Sequence, residues 1–463
     1  MFLENLLKKS RALMSRIFKN IKNLDIFDIY YFANNEEYNV YRNYPKHALP
    51  QKGVFVRVLF FLYKVFIEIK NNANVNLKDG TILFFASSIN QYNALTGTFE
   101  KLNYDNKNFL STYKSSDNRF PLIIPYFLST ILLPYIIYLL IVKYYKGSKL
   151  NKESFKYHLD HYILVFGFYL YFEHLIRNKK IKCVVLSNDH HYFNRTIMAA
   201  CKHNKIMTFY LQHASVTKLF PPLDFNYAFL EGEDALIKYD PYRNINPTNM
   251  IFLVGNIKKY RNKKVERNNG KIRIGISLGL LDDIKKIVDL INQIENIENA
   301  IITIRAHPGD NRNWELILSK DNFLYSNSKL ETSDEFLVNI DILIVGESNI
   351  ALEASFYGIF LIYVRMGDYA FFDHYGFIKN RLIENVCLNP TQICEHIDKY
   401  INQKKSSSSP VKFFYNTYGT AYENMASEII SETIENILIN SSIPRYFKLS
   451  DKYPNTYTID NSF

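Results

Sequence analysis

The chain has 463 residues, 48% hydrophobic and 22% charged, which excludes a disordered chain and exceeds what one hydrophobic core usually organises. A formal net charge of +11 favours acidic partners, among them nucleotides, anionic lipid headgroups and nucleic acid. The four cysteines, Cys183, Cys201, Cys387 and Cys394, have no C-x-x-C spacing and lie in apolar stretches, so they read as reduced core thiols.

The first 24 residues, "MFLENLLKKSRALMSRIFKNIKNL", lack the uninterrupted apolar stretch of a cleavable signal and repeat at helical spacing. Leu3, Leu6, Leu7, Leu13, Met14, Ile17, Ile21 and Leu24 fall near one face, and lysines and arginines fill much of the rest. Such a helix either lies in an anionic membrane surface or docks on its own domain. Residues 1–75 therefore read as a basic, amphipathic, helical and membrane-associating extension. "TILFFASS" from Thr81 is a strand, followed by a loop and helix. Next comes "PLIIPYFLSTILLPYIIYLLIV" at 121–142, uncharged throughout and closed by Lys143 and Lys146. It is long enough to span a bilayer. Pro125, Pro134 and the absence of a second span point instead to a broken, shallowly inserted helix, with buried core helices or a true span as alternatives.

A helix at roughly 152–178 leads to "IKCVVLSNDH" (181–190), a buried strand ending in polar residues. Helix 192–204, strand "IMTFYLQHAS" (206–215), strand "FNYAFLEG" (225–232), a helix to Tyr239 and strand "NMIFLVGN" (249–256) continue the alternation. Residues 258–271 are polar, basic and aperiodic: a linker. Strands at 272–278, 300–308, 322–328, 341–348 and 359–364 then alternate with helices, and "KKSSSSP" (404–410) precedes a last helix near 417–438. Short apolar strands separated by helical patterns imply parallel sheets covered on both faces. The expected fold class is α/β, with two Rossmann-like domains facing a cleft. They are 76–257, carrying the hydrophobic insert 120–146, and 272–403; residues 404–463 form a linker, helix and tail. In such sheets ligands sit beyond the carboxyl ends of the strands.

Polar residues collect at those ends. In "IITIRAHPGD" a strand delivers Arg305 and His307, and Pro308 stops it because proline cannot donate to a ladder. Arginine suits a two-pronged phosphate grip, and histidine can add one hydrogen bond. "ILIVGESNIALEASFYG" ends a strand at Gly346 and sets Glu347, Ser348 and Asn349 where a helix begins, an arrangement open to anions. Ser348 or Asn349 can equally cap the helix. Glu353, in the first turns, is placed to accept ribose hydroxyls. In the other half, Asp189, His190 and His191 follow one strand; Gln212 and His213 follow the next, with Lys218 beyond. A histidine near a carboxylate from the adjacent strand can act as a general base whose basicity the carboxylate raises. The plainer reading is that each histidine satisfies a loop carbonyl. No Asp-x-Asp pair, G-x-x-x-x-G-K-[ST] loop or G-x-S-x-G elbow occurs. Neither a metal nor a cofactor is expected, so the charge of a departing phosphate falls to Arg305, His307 and the helix start.

With these residues in place the chain resembles bacterial GT-B transferases that build surface polymers from cytidine-activated donors. The CDP-glycerol glycerophosphotransferases and the capsule enzymes using CMP-sialic acid or CMP-Kdo are the nearest in pattern. "QHASVTK" (Gln212–Lys218) is similar to a His-Gly…Lys segment with Ala214 in place of glycine, and "RAHP" to an Arg-x-His-Pro motif. "GESNIALEA" stands for a serine-rich strand end, with Gly346, Glu347 and Ser348 where an Asp and two serines are usual. "LVGNIKKYR" stands for a glycine-aromatic/basic segment without its proline.

The resemblance implies transfer from a nucleotide-activated sugar or polyol-phosphate donor, cytidine-linked, to a glycan or lipid-linked acceptor at the cytoplasmic face of the inner membrane. His213 or Asp189 would be the base, with His190, Gln212 and Lys218 on the acceptor side. Arg305, His307, Pro308, Gly346, Glu347, Ser348, Asn349 and Glu353 would hold the donor. A nucleotide-sugar epimerase or hydrolase of the same fold and a non-catalytic scaffold of polysaccharide export are the alternatives. No groove-reading motif supports a nucleic-acid partner.

Overall fold

The computed structural model describes residues 15–31, 53–69, 75–112, 118–239, 249–260, 270–310, 312–314, 323–367, 372–388, 392–403 and 410–460. The first sheet is built from β1 (Ile82–Ala86), β2 (Lys107–Ser111), β3 (Cys183–Leu186), β4 (Met207–Leu211), β5 (Tyr227–Leu230) and β6 (Met250–Leu253). The second holds β7 (Ile272–Ser277), β8 (Ala300–Arg305), β9 (Phe323–Ser326), β10 (Ile342–Val345), β11 (Phe360–Val364) and β12 (Asn385–Cys387). All of these pair in parallel. The reason is legible in the strands: "ILFFA", "CVVL" and "ILIV" are buried on both faces, as only a sheet covered by helices on each side requires.

The strand orders, β2-β1-β3-β4-β5-β6 and β12-β11-β10-β7-β8-β9, each reverse direction once. The reversals lie between β1 and β3 in one sheet and between β7 and β10 in the other. At such a point neighbouring connections leave on opposite faces and open a crevice at the carboxyl ends.

The C-terminal region corrects the expected linker, helix and tail. Val411, Phe414 and Tyr415 are buried in the core of the second domain, whereas the Ala426–Glu435 helix packs in the core of the first. The sequence reading passed over four strands, β2, β12, β13 (Phe447–Leu449) and β14 (Thr456–Ile459); the last two extend the first sheet, β14 pairing in parallel with β6. These last two are too short, and too much interrupted by turns, to show a period. The chain thus crosses between domains twice. The crossings touch: Tyr260 N–H donates to Asn424 Oδ1 at 3.0 Å, and Asn424 Nδ2 to the Tyr260 carbonyl at 3.4 Å. Asn424 takes a left-handed φ of 63°, which asparagine tolerates.

The hydrophobic insert forms two helices, Ile123–Ile131 and Leu133–Lys146, bent by 78°. Pro134 opens the second, where its missing N–H costs nothing. No single helix among the described residues is long and apolar enough to cross a membrane. The first helix packs on the long Lys149–Asn178 helix at Gly167, where any Cβ would collide with the Pro125 carbonyl. Ser129 Oγ seals this contact, accepting Gly167 N–H at 3.1 Å and donating to the Ile163 carbonyl at 2.9 Å. Outward, Phe127, Ile131, Tyr138, Ile141 and Tyr145 stay exposed.

Of the basic N-terminal helix, residues before 15 lie outside the described ones. The remainder docks on its own domain, with Ile21 and Ile26 fully buried and Asn20 donating to both Glu173 oxygens at 2.9 Å.

Candidate functional site

The reversal in the first sheet carries an ordered pair. After β3, Asn188 Oδ1 accepts the N–H groups of His190 (3.1 Å) and His191 (2.6 Å), closing an Asx turn. That turn brings His190 Nδ1 to 2.9 Å from Asp189 Oδ1. Asp189 is 1% exposed, and its other oxygen accepts the Tyr239 hydroxyl at 2.5 Å. A buried carboxylate against Nδ1 holds the proton there and leaves Nε2 as the basic nitrogen. Nε2 accepts an N–H of Asn188 Nδ2 at 3.2 Å, and Phe220 packs against the ring at 4.6 Å. At β1, Ser87 Oγ reaches Asn194 Oδ1 (3.1 Å) and His191 Nδ1 (3.3 Å), and burial pushes the His191 pKa down to about 3.

The expected coupling of His213 to Asp189 is corrected here. Asp189 is held by His190 and Tyr239, and His213 lies beside the Ser187 carbonyl. Burial, aided by His190, pushes the His213 pKa down to about 4, outweighing the pull of Asp189. His213 is therefore neutral at pH 7, and its Nδ1 is buried without a hydrogen-bond partner. Lys218 is exposed on the loop that follows.

Gln212, expected on the acceptor side, is 3% exposed and belongs to a network that joins the domains. Its Nε2 donates to Glu231 Oε2 at 3.2 Å and to the Ala214 carbonyl at 3.0 Å, while its Oε1 accepts Glu231 N–H at 2.9 Å. Asn256 Nδ2 donates to the other Glu231 oxygen at 3.0 Å, and Lys258 N–H to Asn256 Oδ1 at 2.8 Å. Lys258 Nζ then crosses to Glu353 Oε1 at 2.6 Å. Sequence reasoning missed Glu231, Asn256 and Lys258. Their signal was the one used elsewhere, a polar residue just past a buried strand, but "LEG" resembles no site motif, and the likeness of "LVGNIKKYR" carried no role for Asn256 or Lys258.

Burial pushes the Glu231 carboxyl up to about 8, with Lys258 pulling the other way. A carboxyl raised on folding keeps its proton while the unfolded chain loses its own, so its contribution is complete below about pH 4.3 and is lost as pH rises through 8. In Glu231→Gln that slope is absent. The variant also sets an amide N–H₂ against the fixed amides of Gln212 or Asn256, at a cost of about 1–3 kcal/mol. Thermal unfolding from about pH 6 to 9 should show the variant less stable at the acid end and the difference narrowing toward the alkaline end.

In the second domain, Arg305 corrects the phosphate grip. Register pairs Arg305 with Ser326 on β9, and its guanidinium reaches sideways to that neighbour. Nη1 donates to Ser326 Oγ at 2.7 Å and Nη2 to the Glu331 carbonyl at 2.8 Å, with Phe336 against the guanidinium at 5.5 Å. His307 and Pro308 are exposed beyond the strand end, and His307 Nδ1 accepts the Gly309 N–H at 3.0 Å. Glu347 anchors a loop: it accepts the Tyr363 hydroxyl (2.9 Å) and the N–H groups of Asp373 (2.7 Å) and His374 (3.0 Å). Glu353, expected to receive ribose hydroxyls, already has both oxygens engaged, by Lys258 and by Ser333 Oγ at 2.7 Å. The helix after Gly346 spans seven residues, too short for a strong dipole, and Ser348 N–H turns back to the Gly346 carbonyl at 2.9 Å. Neither Ser348 nor Asn349 caps it; Asn349 Oδ1 is buried without a hydrogen-bond partner.

The strand ends of the two sheets meet. Glu231 and Arg305 each sense Glu353, and Lys258 lies within electrostatic reach of His213. No family model and no curated protein sequence matches this chain. Solved structures do. A Listeria monocytogenes protein described as a UDP-N-acetylglucosamine 2-epimerase aligns over 79% of this chain and 98% of its own, with 12% identity and a TM-score of 0.51. S. aureus MnaA with UDP (11% identity, 79% and 99% covered) and the Neisseria meningitidis UDP-GlcNAc 2-epimerase with UDP-GlcNAc (12%, 76% and 99%) each score 0.50. The likeness is one of fold. Two Rossmann-like domains stand in the GT-B arrangement, as the alternating strands implied.

Proposed function

We propose that the protein is a nucleotide-sugar-dependent transferase of the GT-B type, moving a sugar or polyol phosphate onto a glycan or lipid-linked acceptor at the cytoplasmic face of a membrane. The observation that carries the reading is the Asp189–His190 pair at one sheet's reversal, with His213 within electrostatic reach both of it and of Lys258, which crosses to Glu353 of the other domain. In glycosyl transfer, the acceptor hydroxyl displaces the Asn188 N–H from His190 Nε2 and gives its proton to that nitrogen, while the Nδ1 proton stays on the ring, hydrogen-bonded to Asp189. The alkoxide oxygen bonds to the anomeric carbon, and the bond to the donor phosphate breaks, the electron pair leaving with the nucleotide. The buried acceptors His213 Nδ1 and Asn349 Oδ1, one in each domain, suit a ligand rich in hydroxyl groups. His307, beyond β8, remains the donor-side candidate for the leaving phosphate.

The fold neighbours favour a second reading, a nucleotide-sugar epimerase or hydrolase. Product analysis separates the two: an epimerase or hydrolase consumes donor alone, whereas a transferase needs the acceptor. For the nucleotide, the "RAHP" likeness favours cytidine, whereas the S. aureus and Neisseria meningitidis neighbours hold UDP and UDP-GlcNAc. A thermal-shift series with CMP, CDP, UDP and GDP should give its largest rise with a pyrimidine nucleotide, cytidine above uridine. At a concentration of 100 Kd the gain is about 2.7 kcal/mol. No shift with any of the four would leave a non-catalytic scaffold as the better reading.

A further inference from the structure

The Val54–Ile69 helix, the Leu133–Lys146 helix and the middle of the Lys149–Asn178 helix enclose a groove of about 500 Å³ that none of the chemistry above uses. Its walls are carbon: Val58 and Phe61 on one side, Ile137 and Ile141 on another, Leu159 and Ile163 at the floor. That volume lies in the range of small-molecule sites, yet no polar side chain converges on it to orient a polar ligand. The apolar surface does not stop at the rim. Phe55 is 74% exposed, Phe66 69% and Tyr145 75%, so the groove opens onto a broad greasy face, more than a soluble protein usually leaves to water.

One end of this face is basic. Lys146 closes the Leu133–Lys146 helix, and Lys152, in the next one, sits 5.8 Å over the ring of Tyr144, a groove residue; Lys143 is half-buried beside Asp25. Tyr144 and Tyr145 border the groove beside them. Aromatic rings next to lysines, at the end of an apolar channel, match the layering of an anionic lipid, with tail, interface and phosphate in sequence. A second copy of the same face would bring lysine against lysine. The chain just before Gly53, "YRNYPKHALPQK", is too polar to fill a carbon-lined channel.

We propose that this groove takes an acyl chain of an anionic phospholipid, with Lys146 and Lys152 at its phosphate. The inference rests on the reading of an enzyme working at a membrane and not on the transfer chemistry. The test uses the full chain with vesicles of phosphatidylethanolamine and phosphatidylglycerol, the latter carrying a diazirine near the end of one acyl chain. After irradiation, mass spectrometry should place the label on peptides containing Leu159 and Ile163, at the groove floor. Replacing the half-exposed Ile137 and Ile141 with aspartate should lower that labelling about tenfold without altering thermal unfolding. Label confined to Phe55 and Phe66 would mean surface adsorption only, and would overturn the proposal. So would labelling that appears only after residues 2–14 are removed, since the groove would then be occupied by the chain itself. Absence of any label while a nucleotide still shifts the melting temperature would overturn it too, leaving the transferase reading intact; the converse pair of results would overturn that reading alone.

Discussion

His190→Ala is expected to lower turnover by about 10²–10⁴, the usual contribution of a positioned base. The test compares it with His213→Ala under saturating donor and acceptor. Burial keeps His213 neutral and its buried Nδ1 has no hydrogen-bond partner, so its loss should raise KM for the hydroxyl-bearing substrate and leave kcat within about tenfold. Asp189→Asn is the sharper companion. It keeps the shape but puts an amide N–H₂ against His190 Nδ1, so the proton moves to Nε2 and the lone pair is lost from the reacting side. A loss of kcat in Asp189→Asn comparable with His190→Ala would establish the pair as one unit. Normal turnover in both would remove the mechanism.

The second large effect is on stability. Arg305→Met keeps the length and apolar stem of the side chain but deletes two hydrogen bonds from a charged group, to Ser326 Oγ and the Glu331 carbonyl. Hydrogen bonds of this kind are worth about 1.5–3 kcal/mol each. Urea unfolding should show the variant destabilised by an amount of that order, with KM for the donor changed little in the protein that remains folded. Arg305→Lys should fall close to the methionine variant, because one ammonium cannot reproduce the guanidinium fork. Had Arg305 gripped a phosphate, the pattern would reverse: near-normal stability and a large loss of donor affinity.

Arg305 also shows where sequence reading stops. The strand ending at Arg305, and the polar residues at every other strand end, were legible because a buried parallel strand writes a short apolar run and must then stop. So were the two sheets and the parallel pairing. Side-chain direction was not. It depends on register, which sets Ser326 beside Arg305, and on the Asn188 turn, which gives Asp189 to His190 and not to His213. Glu353 was assigned to a ligand because its intramolecular partner, Lys258, lay 95 residues away in an aperiodic stretch. Glu347 looked like a departure from a serine-rich motif; its three donors come from Tyr363, Asp373 and His374, and only the folded chain brings them together.

The Tyr260–Asn424 contact constrains how substrates can enter and leave. One covalent connection would let the second domain swivel in any direction beneath the first. Two connections clasped to each other leave a single axis, like the spine of a book. Lys258 stands two residues from Tyr260, whose ring packs on Phe356 at 4.4 Å, so the Lys258–Glu353 pair lies beside the spine and tethers the covers there rather than at their open edge.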